Sequence, residues 1–333
     1  MPKDIVVGIN IHHKGFMAYT DNLEQNLDDC AAMGLKMIRY NNNGNTPEAL
    51  AEIKHVADEC HKRGMKIMLC MDHYKSWSHR GERTFEEHEA YFEEYMEKVS
   101  AYLKDDIDIY QVFNEMDVSC MGGDIFNITK PGRDGLEKGE YDSVMWDNGI
   151  VAMRGSLKGL KKGYDKAVTS VNFCWWHMIY IYAMYDAGCR WDVIGIDWYS
   201  DCEEVSSIDL IVKEICDHIP DSEIMICETN QWMNFHARWD EEKRNLIATK
   251  ESRDKLQAEW VSSFIQKVYD MPEPRFKAII FYELLDESIY EKNAGRYHGE
   301  SHFGFIECDE RGHNRINKPV YEATKKKIEE LGI

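Results

Sequence analysis

Two glutamates stand where strand-like runs stop. The stretch DIYQVFNEMD, Asp108 to Asp117, carries strand formers into Asn114 and Glu115. The stretch EIMICETN, Glu223 to Asn230, does the same with Glu228. Side chains alternate along a strand, so Gln111, Phe113 and Glu115 share one face, and Ile224, Ile226 and Glu228 share another. If both faces point into one pocket, two carboxylates meet there. Such a pair cleaves glycosidic bonds: one protonates the leaving oxygen while the other attacks the anomeric carbon or activates water. Their surroundings must then separate the two pKa values, keeping one protonated and the other ionised.

A pocket of that kind needs elements that converge. Short apolar runs alternate with amphipathic helical patterns along the whole chain. The runs are Ile5–Asn10, Lys36–Asn42, Lys66–His73, Ile107–Glu115, Ala167–His177, Trp191–Ser200, Glu223–Asn230 and Phe276–Glu287. Between them lie helical stretches such as Asp21 to Gly34, a stripe of Leu50, Ile53, Ala57 and Cys60 introduced by Thr46-Pro47, and Glu86 to Leu103. A last helix is expected from Pro319 to Leu331. Eight strand–helix units in order predict a (β/α)8 TIM barrel, with residues 1–333 as one domain. A doubly wound dinucleotide fold would want a glycine fingerprint after its first strand, and VGINIHHKG is not one. Helix-to-strand turns are short (MGLK, RGMK, PDSE), whereas the segments after strands four, seven and eight are long. That asymmetry is expected when one barrel face is structural and the other carries the site.

Functional side chains in a barrel come from the carboxyl ends of its strands. Here those ends hold Asn10, His12 and His13, Arg39 and Asn41, Asp72 and His73, Asn114 and Glu115, Trp175, Trp176 and His177, Asp197 and Tyr199, Glu228 and Asn230, and Tyr282, Glu283 and Asp286. Asn-Glu after strand four, Tyr after strand six and Glu after strand seven resemble clan A of the glycoside hydrolases, retaining (β/α)8-barrel enzymes. The resemblance spans nearly the whole chain. VGINIH, IRY, YELLDE and HFGFIECD look nearest to its family 5 and family 39 members.

It implies Glu115 as acid/base and Glu228 as nucleophile. Asn114 would bind the sugar 2-hydroxyl, Tyr199 would orient Glu228, and Arg39 would hold Glu228 ionised. His73 would contact the sugar. The clan usually has Trp after strand eight as a stacking floor. This chain has FYELLDE there, so Phe281 or Tyr282 must substitute, and we assign Tyr282. Asn10, His12, Trp176 and Trp232 complete the expected substrate contacts. Of Trp175 and Trp176, alternation lets one face the mouth, and the expectation is Trp176.

Net charge is -20 over 333 residues, which disfavours nucleic acid and anionic membranes as partners and suits a neutral carbohydrate. The ten cysteines are scattered without a metal-type CxxC pair and read as small buried hydrophobes. The start MPKDIVVGIN has no signal-like apolar stretch and no segment is long enough to span a bilayer, so a cytoplasmic protein is expected, or a secreted one if a signal peptide was removed. Double displacement needs no cofactor and no metal. The alternatives are a metal-dependent sugar isomerase using His73, Glu115, Asp197 and Glu228, and a sugar-binding barrel without catalysis.

Overall fold

The computed structural model describes residues 5–14, 16–19, 21–42, 44–71, 74–121, 135–200, 207–231, 249–287 and 299–333. Eight parallel strands close into a barrel in chain order: β1 (Val6–His12), β2 (Met37–Asn41), β3 (Lys66–Met71), β4 (Ile109–Val112), β5 (Thr169–Cys174), β6 (Val193–Asp197), β7 (Glu223–Glu228) and β8 (Phe276–Phe281). This is the (β/α)8 architecture that the alternating pattern predicts.

Local chemistry sets the helices between the strands. Thr46 caps the helix Pro47–Lys62 by accepting the Ala49 amide, with proline at its first turn. Thr84 and Glu87 form a reciprocal capping box at the start of Phe85–Leu103. The helix Ser143–Gly163 lies directly on that helix. A Cβ on Gly155 or Gly159 would stand 2.2 Å from the carbonyl oxygen of Glu89 or Glu93, so glycine is what permits the approach. The closing helix spans Pro319–Leu331. Among the described residues no helix is long and apolar enough to cross a membrane.

The barrel interior is layered. Met37, Met68, Val193, Met225, Cys227, Ala278 and Ile280 form an apolar plug toward the amino ends of the strands. Above it lies a buried polar layer of Asn10, Arg39, Gln111, Asn172 and Asp197. The alternation expected for the two key strands is not what the fold uses. On β7 the inward side is that of Met225 and Cys227, while Ile224 and Ile226 join the core under the helices. Strict alternation would therefore turn Glu228 outward. A register shift between Ile196 and Asp197 sets Glu228 opposite Asp197 instead.

On β4, Gln111 points inward to Arg39, but Phe113 packs outward, edge-on to Phe92 with ring centroids 5.4 Å apart. Phe113 and Glu115 both take left-handed backbone, at φ 61° and 40°, and Trp175 at the end of β5 does so at φ 51°. Such conformations cost about 1–3 kcal/mol each and persist where surroundings enforce them. Here they turn the chain so that Asn114 and Glu115 reach the barrel mouth after the strand has ended.

Candidate active site

Arg39 organises the site. It is fully buried, and its guanidinium reaches four strand ends at once. Nε donates to Gln111 Oε1 at 2.7 Å. Nη1 donates to Asn10 Oδ1 at 3.0 Å and to Glu228 Oε1 at 2.7 Å. Nη2 donates to Asn114 Oδ1 at 2.6 Å and lies 3.2 Å from Cys70 Sγ. Tyr199 donates from its hydroxyl to the other oxygen of Glu228 at 3.0 Å. Both carboxylate oxygens of Glu228 are thus held, one by a cation and one by a neutral donor. Burial and the neighbouring Glu228 push the Tyr199 phenol well above its usual range, so it stays a donor.

Glu115 stands across from Glu228, partly exposed. Oxygens of Glu115, Asp197 and Glu228 all lie within 4.8 Å of one another. Burial first, then the charges of Glu228 and Asp117, raise the Glu115 carboxyl well above the ordinary carboxylate range. Glu115 is therefore equipped to hold a proton where Glu228 is equipped to hold a charge. Asn114 Oδ1 also accepts from Asn172 Nδ2 at 2.9 Å and from Gln111 Nε2 at 3.3 Å. With three donors on its oxygen, the Asn114 amide is fixed, and among the described residues its nitrogen is left as its free donor.

At the rim, the structure places the expected residues as follows. Tyr282 is half-buried at the end of β8, and its hydroxyl lies 3.2 Å from His12 Nε2. Phe281 is fully buried against Phe305, so Tyr282 is the ring able to serve as a floor. His12 Nε2 is also 3.1 Å from Glu283 Oε2. Burial, then the Arg39 charge, lowers the His12 imidazole to about 3, so it is neutral at ordinary pH. Asn10 corrects an expectation. It is fully buried beneath Arg39 and His12, a support for them rather than a contact for a ligand. Trp176 is half-buried and meets Trp198 edge-on at 5.8 Å, as part of the wall toward the outer core. His73 and Trp232 lie outside the described residues, as do residues 122–134, 232–248 and 288–298 in the long segments after β4, β7 and β8.

Sequence reasoning did not single out Asn172 or Phe303, whereas Asn230 is among the strand-end residues it names. Asn172 bridges Asn114 Oδ1 and Asp197 Oδ2, and its own Oδ1 accepts the Glu115 amide at 3.2 Å. Phe303 stacks behind Tyr199 at 5.4 Å. Asn230 donates to the carbonyls of Tyr282 and Phe303 at 2.6 and 2.8 Å, tying the ends of β7 and β8 to that late segment. Asn172 was findable: a buried asparagine inside the run TSVNFC needs polar partners. Phe303 carried no comparable signal.

No protein-family model matches the chain, and no curated protein matches it. Solved structures do. A hyperthermophilic β-glucosidase from Pyrococcus furiosus superposes with a TM-score of 0.74 at 14% identity, over 100% of this chain and 96% of that one. A family 1 β-glucosidase from Thermotoga maritima superposes with a TM-score of 0.71 at 13% identity, over 98% of each chain. At such identity the likeness establishes the barrel. The chemistry rests on the side chains described above.

Proposed function

We propose that residues 1–333 form a single catalytic domain, a retaining β-glycosidase of the clan A type, acting on a neutral oligo- or polysaccharide. The observation that carries this reading is the closeness of Glu115 and Glu228, with Arg39 and Tyr199 both on Glu228. Retaining enzymes keep their carboxyl groups about 5–5.5 Å apart, whereas inverting ones separate them by about 6.5–9.5 Å to admit a water. Oxygens within 4.8 Å fit the first arrangement.

In the first step Glu228 attacks the anomeric carbon, the glycosidic C–O bond breaks, and the Glu115 proton goes to the leaving oxygen. In the second, Glu115 takes a proton from water, whose oxygen displaces Glu228 and releases the sugar. Two inversions give net retention. The nitrogen of Asn114 is the donor for the sugar's 2-hydroxyl, and Tyr282 is the stacking surface. Both similar structures named above are β-glucosidases, which supports a β-linked substrate. A cytoplasmic location would suit imported oligosaccharides.

The test is a screen of aryl β-glycosides and defined β-glucan, mannan, xylan and galactan oligomers, with the first product read by proton NMR before mutarotation. The β-anomer is expected. The α-anomer as first product would overturn the retaining assignment.

A metal-dependent isomerase is the competing chemistry. Arg39 already supplies a cation inside the carboxyl cluster, bonded to Glu228, and a divalent ion there would meet its repulsion. Exhaustive chelation is accordingly expected to leave glycoside turnover unchanged. Loss of turnover on chelation, restored by one divalent metal, would favour the isomerase-type site.

A further inference from the structure

The catalytic pair has a third carboxyl beside it. Asp197 ends β6, is fully buried, and lies within 4.8 Å of both Glu115 and Glu228, oxygen to oxygen. Its Oδ2 accepts from Asn172 Nδ2 at 2.5 Å. The orientation of Asn172 is not free, because its Oδ1 is taken by the Glu115 amide, so Asp197 Oδ2 must be an acceptor. Asp197 Oδ1 is buried and has no hydrogen-bond partner among the described residues.

A charged oxygen in that position would be desolvated without a donor, beside two other carboxyls. Among the described residues one cation, Arg39, serves the cluster, and it bonds Glu228 and Asn114 rather than Asp197. The groups that face Asp197 are Arg39 from β2, Glu115 from the end of β4, Asp117 from the helix Met116–Cys120, Cys227 and Glu228 from β7, and Tyr199 beyond β6. Three of these six are carboxyl groups that add like charge when ionised, one is a thiol and one a phenol.

We propose that Asp197 is a positioning residue that works as a neutral carboxylic acid, its proton on Oδ1. The active enzyme then carries two protons in this cluster, one on Glu115 and one on Asp197. Asp197 holds Asn172 through Oδ2. Asn172 in turn fixes the Asn114 amide and the Glu115 backbone. Ionising Asp197 would put an uncompensated charge against Glu228 and Glu115 and loosen that ladder. Burial, with Glu228 and Glu115, likewise raises the Asp197 carboxyl well above its usual range. The inference rests on the glycosidase reading for its kinetic consequence, but not for its protonation state.

Two measurements test it. The first needs no turnover: an infrared difference spectrum of wild type minus Asp197→Asn at neutral pH. Loss of intensity from the carboxylic-acid C=O band is expected, and loss from the ionised-carboxylate bands would overturn the proposal. The second uses the pH dependence of kcat/KM for the folded enzyme on its best glycoside. The alkaline limb of log kcat/KM is expected to fall with slope -2 in wild type and -1 in Asp197→Asn. Asp197→Ala, which cuts the ladder, is expected to lose about 100-fold in kcat. Asp197→Asn, isosteric with the neutral acid, should recover most of that loss. A wild-type slope of -1, or Asp197→Asn as impaired as Asp197→Ala, would overturn the proposal. Absence of any glycoside turnover would instead count against the glycosidase reading, with the infrared result still deciding the protonation.

Discussion

Replacing Glu228 by alanine is expected to lower kcat on aryl β-glycosides by about 10⁴–10⁶-fold, the range seen when a covalent nucleophile is removed. The size follows from its place in the site. Glu228 is the group that Arg39 and Tyr199 hold charged and aimed, at 2.7 and 3.0 Å, and no other described carboxyl has a guanidinium bonded to it inside the barrel. Asp197 is near enough to attract suspicion as a substitute, but burial keeps it a poor nucleophile. Truncation to alanine also leaves a small space beside Arg39. Azide is an anion of suitable size to enter it. It is expected to restore part of the turnover by attacking the anomeric carbon itself, giving a glycosyl azide of inverted configuration. Recovery with azide separates loss of the nucleophile from loss of the fold, since an unfolded variant would not respond. Wild-type turnover by Glu228→Ala would sink the assignment.

Glu115→Ala is expected to cost about 10²–10⁴-fold, the usual worth of a positioned acid or base. The loss should depend on the leaving group. Nitrophenolate departs without a proton, so the first step on nitrophenyl glycosides survives best. Alkyl and sugar leaving groups need the proton and should suffer the full loss. The pH profile gives the sign. Glu115 must be protonated to act as the acid, and its pKa is raised by burial and by Glu228 and Asp117. Wild-type kcat/KM therefore falls as pH rises through that raised pKa, to the alkaline side of ordinary carboxylates. In Glu115→Ala this limb should become shallower. An equal loss on every leaving group, with an unchanged profile, would mean that Glu115 acts through structure alone.

The barrel was legible because it is written at low resolution. Apolar strand runs, helical stripes, and a cap such as Thr46-Pro47 are local, and each agrees with the global order of elements. The identity of the central residues was legible for a similar reason: carboxylates, Arg39 and Tyr199 at strand ends stand out against apolar runs. Their direction was not. Period-two reasoning placed Ile224 and Ile226 inward, whereas they pack under the helices, and Glu228 reaches the site through a register shift. Likewise Phe113 departs from the face of Gln111 because the chain passes through left-handed backbone at Phe113 and Glu115. Neither residue is a glycine, so no local sign marks the turn in the sequence. Asn10 was misjudged because a strand-end position does not distinguish a residue that meets ligand from one buried beneath Arg39. Asn172 went unnoticed because its role exists only once β4, β5 and β6 are side by side.

The central claim is that Glu228 becomes covalently bonded to the sugar. Incubation with a 2-deoxy-2-fluoro glycoside bearing a good leaving group tests it most directly, because the fluorine slows both steps while the leaving group keeps the first fast enough for the glycosyl-enzyme to accumulate. Intact-mass analysis should show one sugar added per chain, and peptide mapping should place it on Glu228. A substrate-active enzyme that takes no label, or carries it on Glu115 or Asp197, would contradict the account.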